Sequence, residues 1–353
     1  MTEQKEKQFT YFIGIDVSRN ELDFALQHGN KLLYHKEIGN NVAEITAFLV
    51  EFKKTARYAI AKAVFGMENT GIYSNHLLTV LRRHKANIVH ENPLHIKNSL
   101  GNIRGKYDKI DAIRIAQYLF KSRDNLRLWL PKRPIIQQLA HLSTLRARLL
   151  TLKGALATPL KEDTTFVDKK ILSQSKKLCE LSISAMTSDL VAMDNYIAEL
   201  IKSDTRINHL HNTITSIPSV GTVTAVQILI TTNEFIDITN PKKYACYAGV
   251  APFKKESGLI TANARVSHIA NKKVKALLHT CALGSVRYVP EMKAYYERKV
   301  AEGKPKMAVL NAVRNKLVLK IFACVKQDVF YDPDYKREPL EDIDILESTT
   351  TAN

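Results

Sequence analysis

Four carboxylates in the first third of this 353-residue chain are the groups best suited to chemistry: Asp16, Glu68, Asp108 and Asp111. Asp16 closes on the short apolar run YFIGIDV, and Glu68 ends a second run, AVFGME. Asp108 and Asp111 stand three apart in DKIDAIRIAQYLF, so on a helix they share one face with Cβ atoms about 5–6 Å apart. Acids gathered in a small volume repel one another and stay ionised at neutral pH only beside cations. All-oxygen ligation suits Mg²⁺ or Mn²⁺, and two such ions ~3.5–4 Å apart activate a nucleophile and stabilise the leaving oxygen at a phosphodiester. Arg104, Lys106 and Lys109 flank the helical pair and suit a phosphate backbone running past it. Taken singly, Asp16 also suits a turn and Asp108 a helix N-cap. Only the four together favour a metal.

The elements that must position these acids read as alternating strands and helices. Strands are expected at 11–17, 22–27 and 31–37, joined by the turn-formers SRNE and HGN into an antiparallel meander. Asn41 is placed to cap a helix over 42–54, with Ile45, Phe48, Leu49 and Phe52 on one face. A strand at 61–68, a helix at 73–84, a strand at 86–90, a helix opening at Pro93 and a helix at 108–120 follow. The order β-β-β-α-β-α-β-α is that of a ribonuclease-H-like α/β fold, in which the first and fourth strands are neighbours and Asp16 and Glu68 emerge on one rim.

Beyond residue 130 the pattern turns helical. Leu142, Leu145, Leu149, Leu152 and Leu156 keep heptad spacing until Thr158-Pro159. Met186, Leu190, Met193, Ile197, Leu200, Ile207, Leu210 and Ile214 form a second stripe, read as core or as an oligomer seam. The expected division is an α/β metal-binding domain over 8–130, a helical coiled-coil connector over 131–208, a mostly helical domain over 209–327, and an acidic, partly disordered tail over 328–353.

Charge names the partner. Lys and Arg number 52 against 35 Asp and Glu, a formal net of +17, which points to a polyanion, nucleic acid before an acidic protein. The excess is local. Residues 101–150 hold eleven basic against three acidic residues, 251–327 hold sixteen against four, and 328–353 hold two against eight. No apolar run approaches the ~18 residues of a membrane span, and MTEQKEKQFT carries no apolar signal core. A cytoplasmic, nucleoid-associated protein is expected. Cys179, Cys246, Cys281 and Cys324 lie far apart without zinc spacing and read as buried thiols.

At these residues the chain resembles a known family. GIDVS (14–18), MENTGIY (67–73), the NP at 92–93 and KYDKIDAIRIAQYL (106–119) look like the first domain of the DEDD insertion-sequence transposases, recombinases guided by a bridge RNA, whose relatives include Piv-type invertases. IPSVGTVTA (217–225), YAGVAPFKKESG (247–258) and a basic helix after Ser267 match that family's second half, so the likeness spans roughly 10–327. It implies a RuvC-like first domain with Asp16, Glu68, Asp108 and Asp111 as ligands of Mg²⁺ or Mn²⁺. It implies that Ser257 is a catalytic serine that forms a covalent phosphoserine–DNA link, in a composite site joining domains of different protomers. Donor and target DNA, a guide RNA, and a dimer or tetramer are the implied partners. Gly258 allows close backbone approach, and Lys254, Lys255 and Arg265 suit phosphate beside that serine. Lys272, Lys273 and Lys275 extend the basic surface. The chain departs from the pattern at Ser219, where the family has glycine, and at His268, Ala270 and Lys275, where it has lysine, glycine and arginine. Two other classes share parts of these signals: a Holliday-junction-type nuclease using the acids and water alone, and an actin-like nucleotide-binding protein.

Overall fold

The YFIGIDV run becomes the central strand of a sheet because it is apolar on both faces and both faces are covered. The computed structural model describes residues 9–334, except 57–58, 70, 101–107, 163–164, 258–259 and 267–269. Side chains at 55–56, 100, 108–109, 254–257 and 260–265 also fall outside the description. The chain forms two units that divide between Pro131 and Lys132.

The first unit carries a five-stranded mixed sheet: β1 (Tyr11–Val17), β2 (Glu21–His28), β3 (Lys31–Gly39), β4 (Ala63–Glu68) and β5 (Asn87–Glu91), in the order β3-β2-β1-β4-β5. β1–β2 and β2–β3 run antiparallel, β1–β4 and β4–β5 parallel. Gly29, at φ +56°, and Asn30 make the two-residue turn of the second hairpin. Helix α1 (Val42–Ala56) starts where expected: the Glu44 N–H donates to Asn41 Oδ1 at 2.9 Å, while the Gly39 N–H donates back to Glu44 Oε2 at 2.8 Å. α2 (Asn75–Arg83), α3 (Pro93–Leu100) and α4 (Asp108–Lys121) complete the unit. The fourth strand begins at Ala63 rather than 61 because Ile60–Lys62 wind into a 3₁₀ turn, and another such turn at Gly71–Ser74 delays α2.

The sheet buries two different faces. Ile13, Ile15, Phe24, Leu26, Phe65 and Met67 pack with Ile45, Phe48 and Phe52 of α1 and Leu77 and Leu81 of α2. On the reverse face Phe12, Val64 and Val89 meet Leu119 of α4. Here two glycines decide the geometry. A Cβ on Gly14 would collide with the backbone of Ala112 and Ala116, and one on Gly66 would strike Leu119. Their absence lets α4 lie directly on β1 and β4.

The second unit is mostly helical. It comprises α5 (Pro134–Ala157), α6 (Pro159–Glu162), α7 (Lys169–Lys202), α8 (Thr205–Thr215), α9 (Thr222–Thr232), α10 (Pro241–Tyr247), β6 (Pro252–Ser257), β7 (Ile260–Val266), α11 (Lys272–Tyr288), α12 (Pro290–Ala301) and α13 (Lys306–Gln327). α5 and α7 are tied by Arg146–Asp194 at 2.5 Å and Gln138–Tyr196 at 2.8 Å. Ile136, Leu139, Ile197 and Ile201 join the same core as Leu229, Tyr244, Leu278, Val313 and Phe322. The stripe from Met186 to Ile214 is carried by two helices that meet at Ser203-Asp204, where Asp204 caps α8 by accepting from the Ile207 N–H.

Two further features differ from the sequence reading. The segment around Ser257, which lies in the domain expected to be mostly helical, is an antiparallel β6–β7 hairpin with Ser257 paired to Ile260. Of the four cysteines only Cys281 and Cys324 are buried; Cys179 and Cys246 are half-buried. Between α8 and α9, Ser219 holds φ +71°, a left-handed conformation that favours the glycine seen in the family.

Candidate active site

The acids gather at the end of the sheet where β1 and β4 finish. β1 and β4 are in register through Ile15 and Met67, so the next residues, Asp16 and Glu68, stand side by side. Both lie on the α4 face, since Phe12 and Gly14 on β1, and Val64 and Gly66 on β4, point to that helix. Because Gly14 brings the backbone of Ala112 against β1, Asp111 arrives at the same edge. The three charges meet: the Glu68 carboxyl is pushed above the usual carboxylate range, first by burial, then by the negative charges of Asp16 and Asp111. Asp111 also accepts from Arg114 Nη1 at 2.7 Å. Asp108 opens α4 three residues earlier; its side chain lies outside the description, as does that of Lys109, and Arg104 and Lys106 lie outside the described residues.

Register adds two acids that the sequence reading missed. Asp23 is the cross-strand partner of Asp16, and Glu91 is the partner of Glu68. Directly opposed residues share a face with Cβ atoms about 4.5–5.5 Å apart in antiparallel pairs. Asp23, Asp16, Glu68 and Glu91 therefore form a row across four adjacent strands. Asp23 is 5% exposed and is held by His35 Nε2 at 2.9 Å. Glu91 accepts from the Tyr118 hydroxyl at 3.1 Å and contacts His95 Nδ1 at 3.0 Å. Burial, then the Glu91 charge, push the Tyr118 hydroxyl up to about 12. One signal for Asp23 was available: a charged residue inside LDFALQ, at a position that faces inward.

Among the described residues no group of three His, Cys, Asp or Glu side chains is arranged to hold a metal ion, and the Asp108 side chain is not among them. The donor chemistry nevertheless fits a hard divalent cation. The donors are carboxylate oxygens alone, and their mutual repulsion, registered at Glu68, is the field a cation relieves.

In the second unit, Lys272 is exposed and Lys275 half-buried on α11. Lys273 is turned inward instead, its ammonium donating to Ser143 Oγ at 3.0 Å and lying 3.4 Å from the Ser143 carbonyl. Burial, then Arg146, hold its pKa below the lysine range. Ser257, Lys254, Lys255 and Arg265 have their backbones in β6 and β7, and their side chains lie outside the description. His268 and the tail beyond 334 lie outside the described residues.

Known proteins match both parts of the chain, the first match running past the boundary at Lys132. Residues 13–162 match a DEDD transposase model of the IS110 type, and residues 211–297 match the model described as Transposase IS116/IS110/IS902 family. The pilin gene-inverting protein of Moraxella bovis is 26% identical over 337 residues, covering 91% of this chain and 97% of that protein. An insertion element IS110 protein of Streptomyces coelicolor is 26% identical over 151 residues, 43% of this chain and 36% of that protein. Among solved structures, T. thermophilus RuvC in complex with Holliday junction substrate is similar over 34% of this chain and 99% of that chain, with 14% identity and a TM-score of 0.29.

Proposed function

The chain belongs to the DEDD insertion-sequence transposase family, and from that membership we propose that it cuts and rejoins DNA through a divalent-cation site at the sheet edge and a serine nucleophile, Ser257. It is an enzyme of DNA transposition or recombination. The observation that carries the site is the meeting of Asp16, Glu68 and Asp111, whose charges raise the Glu68 carboxyl. The mixed sheet, a meander on one side of β1 and two parallel strands on the other, supports a RuvC-like, ribonuclease-H-like domain over 8–130. The connector over 131–208 and the transposase domain over 209–327 belong to the same reading.

In this reading Asp16, Glu68, Asp108 and Asp111 hold Mg²⁺ or Mn²⁺, which supplies positive charge at the oxygens of the phosphodiester. Arg104, Lys106 and Lys109 hold the strand at that edge. The Ser257 hydroxyl oxygen attacks phosphorus, a new Ser–O–P bond forms, and the deoxyribose oxygen leaves with a proton. The reverse exchange with a second deoxyribose hydroxyl rejoins the strand and frees the serine. Lys254, Lys255 and Arg265 hold the phosphate during that exchange. Lys272 and Lys275 continue the DNA surface, a guide RNA selects the sites, and the protein works as a homo-oligomer.

Strand cutting and protein–DNA adduct formation on a labelled duplex test the mechanism. Asp16→Asn is expected to abolish cutting; full retention overturns the metal site. Ser257→Ala is expected to abolish the adduct and strand exchange, whereas undiminished cutting by that variant assigns a Holliday-junction-type nuclease that uses the acids alone. Sequencing the nucleic acid that copurifies with the protein tests the guide RNA.

A further inference from the structure

One buried cation in the second unit meets no counter-charge among the described residues. Arg314, on α13, is 5% exposed, and its guanidinium meets no carboxylate among the described residues. Its Nη2 donates to His279 Nδ1 of α11 at 2.6 Å, its Nη1 reaches Asn311 Oδ1 at a long 3.4 Å, and its Nε is buried with no acceptor. Other buried or half-buried arginines differ: Arg133 bonds Asp204 and Glu234, and Arg146 bonds Asp194. A guanidinium has five N–H donors and no acceptor, so most of its donors here are unspent.

The neighbours are also donors. Because the guanidinium can only donate, His279 Nδ1 accepts and its proton sits on Nε2, which makes the outer nitrogen a donor. Burial, then the Arg314 charge, hold the His279 pKa below the usual histidine range. Lys275 lies one turn earlier on α11, on the same face as His279. Asn311 Nδ2 donates to the Val250 carbonyl at 2.8 Å, which ties this place to the chain two residues before β6.

We propose that Arg314, His279, Asn311 and Lys275 form a phosphate site that grips the nucleic-acid backbone at the foot of the β6–β7 hairpin. The ligand is tetrahedral and anionic, and it supplies the acceptors that the protein withholds from Arg314. β6 spans about 20 Å from this foot to Ser257, so the phosphate held here is a flanking one and not the one attacked. The site positions DNA or RNA relative to the serine and takes no part in bond exchange. It rests on the nucleic-acid reading above, but its test is run in chelator, so metal-dependent cutting and this site fail independently.

The experiment follows the thermal midpoint of full-length, nucleic-acid-free protein in EDTA, with sodium phosphate against chloride of equal ionic strength, and the salt dependence of binding to a labelled duplex oligonucleotide. Wild type is expected to gain several degrees in phosphate. Arg314→Met is expected to match or exceed wild type in chloride, since an unpaired buried charge has gone, to lose the phosphate gain, and to lower the log–log salt slope by about one. His279→Gln is expected to keep the slope and lose part of the gain. A response to oligonucleotide but not to free phosphate assigns the site to the phosphodiester backbone alone, and a response to both admits inorganic phosphate as well. The proposal is overturned if Arg314→Met unfolds or loses several degrees in chloride, if phosphate response and salt slope stay at wild-type values, or if polyglutamate reproduces the response where oligonucleotide does not.

Discussion

The acidic edge of the first unit and the ion cluster at the start of α5 handle buried charge in opposite ways. In the second unit, Glu234 is fully buried and accepts from Arg133 at 2.6 and 2.7 Å and from Arg206 at 3.1 Å, while Arg133 also donates to Asp204 at 2.7 and 3.1 Å. Two guanidinium groups meet two carboxylates, and the local charge cancels. At the sheet edge like charges are set side by side, and Glu68 shows the cost. The cancelled cluster fixes where α5, α8 and the end of α9 meet. The other sets like charges beside one another, with Arg114 meeting Asp111, and a divalent cation would relieve that field. The difference teaches that burial of charge is structural where opposite charges balance, and points to function where like charges are brought together.

Breaking the balanced cluster gives the largest expected effect. Arg133→Met strands Glu234 and is expected to cost about 3–5 kcal/mol, read by urea unfolding. A loss below about 1 kcal/mol would show that Arg206 alone suffices. The same variant tests pH. Arg133, by hydrogen bonding, holds the Asp204 carboxyl below its ordinary value of 3.8, so Asp204 binds fewer protons folded than unfolded. Its stabilisation is complete above that ordinary value and disappears as pH falls through the lower, folded one. Acid unfolding below about pH 4 is expected to flatten in Arg133→Met, and an unchanged acid limb would contradict the assignment.

Next in size, Gly14→Ala tests how the open cluster is assembled. A methyl group there collides with the α4 backbone, with an expected cost of about 1–3 kcal/mol. Because the displaced helix carries Asp111, Mn²⁺ affinity by calorimetry is expected to fall together with stability; intact affinity would mean that α4 does not position the site. The smallest effect has the opposite sign. Glu68→Gln removes a carboxylate that burial and two like charges disfavour, and is expected to keep or slightly raise the stability in chelator, solvent screening keeping the gain small, while abolishing strand cutting. A destabilised variant would place Glu68 among the balanced charges instead.

The first unit was largely legible. The meander, the Asn41 cap and the α4 helix follow from alternation, turn residues and spacing, which are local properties. Asp23 and Glu91 were not, because cross-strand register is a relation between distant segments and a single strand does not state its partner. In the second unit the hairpin bearing Ser257 was missed: KKESG and ITANARV are short and polar, and their pairing is a tertiary fact. Arg314 read as one more charge in a basic helix, since the sequence shows the cation but not the missing carboxylate.

By itself the sequence determined which residue types are present, their periodicity and the net positive charge, because these depend only on neighbours along the chain. The tertiary structure alone decided which charges face one another: two glycines admit α4 to the sheet and bring Asp111 to Asp16 and Glu68, and helix packing sets Arg314 beside His279 with no acid in reach among the described residues. Electrostatic energy depends on distance in space, and distance in space is what folding supplies.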